Sequence, residues 1–158
     1  SNALRASEPE LFDHVERLLA SQKALERQLE QLKRKVAQAQ AAELEAQARE
    51  VKGARVLAGR VDGLDREQMR ALADSLRNKW KSAVVVLAAA DQGSVAIVSA
   101  VTKDLTGKVH AGKLAGWLAQ ALGGKGGGRP DMAEAGARDT EGLGAALDRV
   151  YGHVESML

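Results

Sequence analysis

The sequence predicts an α/β fold in two parts: a long N-terminal helical, coiled-coil-like arm over residues 4–53, then a small mixed-sheet α/β sandwich over residues 54–158. Three observations carry that expectation. A heptad seam runs through the opening residues, β-branched runs alternate with segments of helical period through the remainder, and a glycine-rich stretch around Lys125 separates a helical pattern from a strand-like one.

In the arm, Leu11, Val15, Leu18, Leu25, Leu29, Leu32, Val36 and Ala39 recur at alternating steps of four and three, with Gln22 as the polar exception. Such strict spacing favours a coiled coil, or a helix packed on one partner, over a helix sunk in a broad core. Ser7-Glu8-Pro9-Glu10 has the form of an N-cap with Pro in the first turn. Glu8, Glu10 and Asp13 put negative charge where the macrodipole favours it, so the helix is expected to begin near Glu8. From Ala37 to Ala48, Ala and Gln keep helix propensity high while the side chains shrink, and Gly53 is the expected stop. Unbroken from Glu8 to Lys52, the helix would span roughly 65 Å, a spacer or an oligomerisation arm; folded back, its second half would make an antiparallel hairpin.

The globular part opens with Arg55 to Val61, whose alternation reads as a strand. Asp65 then caps a helix, with Gln68 at the capping-box position and Met69, Leu72, Ala73 and Leu76 as its apolar face. Val84-Val85-Val86-Leu87 is continuous enough for a central strand covered on both faces. Asp91-Gln92-Gly93 is a turn, and Ser94 to Val101 returns as the second half of a hairpin. Helical spacing resumes at Val109 with Leu114, Trp117, Leu118, Ala121 and Leu122 on one face. The glycine run ends that helix, Asp131 to Ala137 passes as a short strand, and Leu143, Leu147, Val150 and Val154 mark a last helix ending near Met157. The expected order is βαββαβα.

At 158 residues and 45% apolar, the chain can bury one core and carry an extension. Ser1-Asn2-Ala3 reads as the remnant of a cleaved tag, so a piece of a longer protein is expected. Without cysteine there are no disulfides and no thiolate metal sites, which suits a reducing compartment. The longest apolar run, Ala83 to Ala90, is far short of the roughly 20 residues of a membrane helix, so a soluble protein of the cytoplasm, with no membrane partner, is expected. Net charge is only +2, but its distribution is uneven. From Arg77 to Arg129 eight Lys and Arg face two acids, whereas beyond Pro130 the acids dominate, so a basic region surrounds the glycine run.

That run, Gly123-Gly124-Lys125-Gly126-Gly127-Gly128-Arg129-Pro130, demands main chain held close to something else, and its two cations make a phosphate-bearing partner the natural candidate. It is no P-loop, because Gly126 follows Lys125, and a G-x-G-x-x-G frame begun at Gly124 ends on Arg129. The bland alternative is a flexible link between helix and strand. No catalytic constellation can be assembled: His14, His110 and His153 share no ligand spacing, and each is expected at the surface or its boundary. His110, at the entry of the helix before the glycine run, is the one whose ring could meet a phosphate or a base. Trp117 is expected in the core and Trp80 in the core or at its boundary, so stacking readout of single bases is not expected. Recognition by backbone shape remains.

GGKGGGRPDMAEAG, from Gly123 to Gly136, taken with Val98-Ser99-Ala100-Val101-Thr102-Lys103-Asp104-Leu105 and Gly112-Lys113-Leu114, resembles the C-terminal domain of bacterial alanyl-tRNA synthetases. That domain is a member of the DHH-associated domain family, also found on phosphoesterases acting on nucleic acids. The resemblance covers Val56 to the end, and a long helix in front suits it; the chain departs from the family at Glu134, commonly Gln, and at Ala137, commonly Gly. It implies a tRNA-binding tail that docks the elbow of the L-shaped molecule and helps aminoacylation and editing centres engage one tRNA. Lys125 and Arg129 would contact phosphates, Gly124, Gly126, Gly127 and Gly128 would form the close-approach surface, and Lys103, Lys108, His110 and Lys113 would flank it. No catalytic residue, metal or cofactor is implied in this chain; ATP and the editing zinc would belong to upstream domains. Two alternatives stand beside this: an oligomerisation module forming a homodimer through the arm, and the tail of a DHH-type phosphoesterase.

Overall fold

A computed structural model describes residues 2–158, with side chains from Pro9 onward. The chain divides into two units, Ser1–Ala39 and Gln40–Leu158. The first is helical throughout its described part, within α1 (Asn2–Gln47). This helix begins ahead of the expected start, and Pro9 lies inside it instead of in its first turn. A Pro there removes one backbone hydrogen bond without ending the run. The caps expected from Ser7 and Glu8 lie outside the described side chains. The seam residues Leu11, Val15, Leu18, Leu25, Leu29, Leu32 and Val36 are exposed, as are Phe12 and Leu19 beside them.

In the second unit α1 ends at Gln47 and β1 (Arg49–Val51) follows, so Gly53 does not stop the helix. Lys52 (φ 49°) and Gly53 (φ 83°) instead form a two-residue turn into β2 (Ala54–Arg60), the pair of positive φ values that a type I′ hairpin requires. Asp65 caps α2 (Arg66–Lys79) in the expected reciprocal box: its carboxylate accepts the Gln68 N–H at 2.8 Å and the Gln68 side chain accepts the Asp65 N–H at 3.0 Å. β3 (Ala83–Asp91) and β4 (Ser94–Val101) join through Gln92 and Gly93, both at positive φ, as the turn chemistry predicts. A single 3₁₀ turn (Lys103–Leu105) leads to α3 (Ala111–Ala121). Then come β5 (Lys125–Gly128), β6 (Met132–Ala137) and α4 (Leu143–Met157).

The six strands form one mixed sheet in the order β1-β2-β3-β4-β6-β5; β2 and β3 run parallel and every other neighbouring pair is antiparallel. Two strands, β1 and β5, are additions to the expected βαββαβα order. Residues Ala83 to Ala89 of β3 are all buried, the signature of a strand with a core on each face. One core sets Val84 and Val86 against α3 and α4; the other sets Val85 and Leu87 against α2 and Leu44 from the end of α1. The Tyr151 hydroxyl, at hydrogen-bond distance from the Ala58 N–H (3.2 Å) and the Gln47 carbonyl (3.2 Å), ties α4 to β2 and to the α1 terminus. Among the described residues no helix is long and apolar enough to cross a membrane.

Candidate nucleic-acid interface

The glycine run is an ordered strand, not a slack link. Gly123 (φ 74°) closes α3: its N–H meets the Gln120 carbonyl at 3.2 Å while the Gly124 N–H meets the Ala119 carbonyl at 2.7 Å, the paired bonds of a Schellman cap. β5 then pairs with β6 in the register Lys125 with Gly136 through Gly128 with Ala133. Arg129 N–H donates to Met132 O at 3.1 Å, and antiparallel alternation therefore turns the backbone groups of Gly126 and Gly128 away from β6. They meet α3. A Cβ on Gly116 would stand 3.0 Å from Gly126 O, and one on Gly112 would overlap the Gly128 carbonyl.

Most of these glycines therefore answer to packing within the chain. A side chain on Gly124 would overlap the Gly136 carbonyl, one on Gly126 would overlap Ala135, and one on Gly128 would come within 2.7 Å of Ala133 Cβ. Gly127 differs: a Cβ there meets nothing within 4 Å. Within β5 it is the glycine whose missing side chain the fold does not use.

His110, Lys113, Gly126, Gly127 and Gly128 come together in one groove of about 420 Å3 between α3 and β5, joined by Gln120 and by Trp117. His110 is the N-cap of α3, its Nδ1 accepting the Lys113 N–H at 3.3 Å, which leaves Nε2 as the ring nitrogen able to carry the proton outward. The first amides of the helix are taken by the chain itself: Ala111 N–H donates to Pro130 O at 2.9 Å and Gly112 N–H to Arg129 O at 3.2 Å. The end of α3 is thus closed to an anion.

The other expected residues lie elsewhere. Lys125 and Gly124 line a separate recess at the start of β5. Arg129 is exposed at the far end of the strand, 3.7 Å from Asp131, in a recess with Arg70 and Arg77. Arg77 donates to the Asp131 carbonyl at 3.1 Å and pairs with Asp74, so the Arg129-Pro130-Asp131 corner is fastened to α2. Lys103 sits with Trp80 and Lys81 in a third recess. The Ser82 hydroxyl, and then Thr102, hydrogen-bond the Asp104 carboxylate and hold it below the usual carboxylate range, anchoring the 3₁₀ turn that carries Lys103. Lys108 is exposed on the turn before α3 and lines neither groove nor recess named here.

Trp80 is buried, as expected, with the Arg55 guanidinium 5.4 Å from its ring. Trp117 is not a core residue: it is half-buried and stacks on His153, ring centroids 3.9 Å apart and planes within 3°. Burial pushes the His153 imidazole below its ordinary pKa, favouring the neutral ring in the stack. Helical spacing placed Trp117 with Leu114 and Leu118, but it falls at the edge of that face. Trp117 and Gln120 in the groove and Arg77 in the Arg129 recess thus line the candidate interface without standing out in the sequence. The spacing of Gly112, Lys113, Gly116, Trp117 and Gln120 along one helix was the available signal for the first two.

A family model described as DHHA1 domain matches residues 53–156. The chain is similar over its whole length to alanine–tRNA ligase of Solibacter usitatus (63% identical) and of Polaromonas naphthalenivorans (47% identical). It spans 18% of the length of each. The solved C-Ala domain of Aquifex aeolicus alanyl-tRNA synthetase shares the fold at a TM-score of 0.64 and 27% identity, with 68% of this chain and 97% of that domain covered.

Proposed function

Because the chain belongs to the DHHA1 domain family, we propose that it is the tRNA-docking C-terminal region of an alanine–tRNA ligase, acting in the cytoplasm beside upstream aminoacylation and editing domains that hold ATP and zinc. Gly127 is the observation that supports this most directly. It is an exposed position of an ordered strand, unused by the protein's own packing, beside a groove carrying His110 and Lys113 and between Lys125 and Arg129. Bare main chain of this kind lets a sugar–phosphate backbone approach, while flanking cations neutralise it without reading bases. The chain thereby orients tRNA at its elbow and leaves the chemistry to other domains. Crosslinking the chain to tRNA is expected to map β5 and the α3 groove onto the elbow; crosslinks confined to the anticodon stem would overturn this reading.

A second reading concerns the arm. Seven seam residues with Leu or Val side chains are 45–64% exposed along Leu11 to Val36, an apolar stripe that a second copy of the helix would cover. Light scattering is expected to give the mass of two chains, falling to one for Leu18→Glu/Leu25→Glu. A wild-type mass of one chain would dismiss this homodimer.

A further inference from the structure

The recess that Lys125 enters, about 540 Å3, is also lined by Arg66 from the first turn of α2 and Arg138 just beyond β6, with Gly124, Gly136 and Ser94 completing its wall. Three cations face this space and no acidic residue lines it. Of the nearby carboxylates, one is shared with Arg66 and one is engaged elsewhere. Glu134 pairs mainly with Arg70, Nε 3.0 Å away, and more loosely with Arg66, Nη1 3.9 Å away, while Asp139 accepts the Gly142 N–H at 3.0 Å and so holds the turn before α4. Among the described residues no carboxylate oxygen lies within 4.0 Å of Lys125 or Arg138.

Like charges turned toward one space repel, and the fold holds them there regardless: α2, β5 and the end of β6 each supply one. Gly136 contributes room, since a Cβ on it would stand 3.3 Å from Arg66 Nη2 and press the guanidinium aside. An oxyanion with several oxygens satisfies this geometry best, because guanidinium forks and an ammonium can each take a different oxygen.

We propose that Arg66, Lys125 and Arg138 form a phosphate subsite that takes a second phosphodiester of the docked tRNA, at the opposite end of β5 from Arg129. The assignment rests on the docking reading above. It adds two contacts, Arg66 and Arg138, that lie outside the basic segment from Arg77 to Arg129.

The test is tRNA binding by Arg66→Gln/Arg138→Gln in the whole chain, followed by fluorescence anisotropy across a salt series, with melting temperature measured alongside. Both side chains are exposed, so melting is expected to hold while the slope of log K against log salt falls by about 1.5, at 0.7–0.9 per lost contact. A wild-type chain that binds tRNA, with an unchanged slope in the double variant, overturns the subsite and leaves the docking reading intact. A wild-type chain that ignores tRNA at low salt overturns both. Inorganic phosphate distinguishes the remaining source: amide shifts at Gly124 and Gly136 on phosphate titration, together with an unchanged RNA slope, would assign the recess to a small phosphate ligand and overturn the RNA contact.

Discussion

Gly126→Val and Gly127→Val, neighbours on one strand, are expected to fail in opposite ways. At Gly126 the new side chain would overlap Ala135 within the β5–β6 ladder, and backbone on both sides prevents either strand from yielding. Overpacking of this kind is expected to lower stability by about 3 kcal/mol, seen as a melting temperature lower by roughly 10 °C. At Gly127 the added atoms meet open space, and Val suits a strand better than Gly, so melting is expected to stay within about 0.5 kcal/mol of wild type. Binding is where Gly127→Val should register: a branched side chain standing where the RNA backbone rests is expected to weaken tRNA affinity at least about tenfold, or 1.4 kcal/mol. Equal melting losses in the two variants, or wild-type affinity in Gly127→Val, would remove the docking face from β5.

Lys125→Ala/Arg129→Ala is expected to weaken tRNA binding and flatten its salt dependence by about 1.5 in log–log slope. The two cations mark opposite ends of β5 and enter separate recesses, so their contributions should add. Arg129 is already 3.7 Å from Asp131, and part of its charge is answered before RNA arrives; Lys125 has no such neighbour among the described residues and should account for more of the loss. Single variants measured over the same salt series check that ranking. A double variant with the wild-type slope would mean that neither cation meets a phosphate.

What the sequence made legible follows from how locally each feature is encoded. The Asp65–Gln68 box and the Gln92–Gly93 turn are written in a few adjacent residues, and both form as read. β3 was legible because an apolar run of that length has few other places to go. β5 was not, since Lys-Gly-Gly-Gly has neither alternation nor strand propensity; its conformation comes from the ladder to β6 and from α3 lying against it. β1 is equally silent, because a glycine after a helical pattern has the form of a helix stop: three residues are made a strand by the Lys52–Gly53 turn. At the candidate interface, charge counting pointed to the segment from Arg77 to Arg129 but could not say which faces its cations occupy. Glycine frequency likewise marked β5 without separating the glycines that packing requires from the single position left open.

The covering of β5 by α3 also bears on how these molecules behave in a crowded solution. The last strand of a sheet is ordinarily a template on which a stray chain can polymerise. Here the Gly126 carbonyl and the Gly128 backbone are approached by a helix that comes so near only because Gly112 and Gly116 carry no side chains. The helix thereby obstructs part of a ribbon that cannot defend itself with bulk or charge, and a bulkier residue at Gly112 would uncover more of that border as well as disturb the fold.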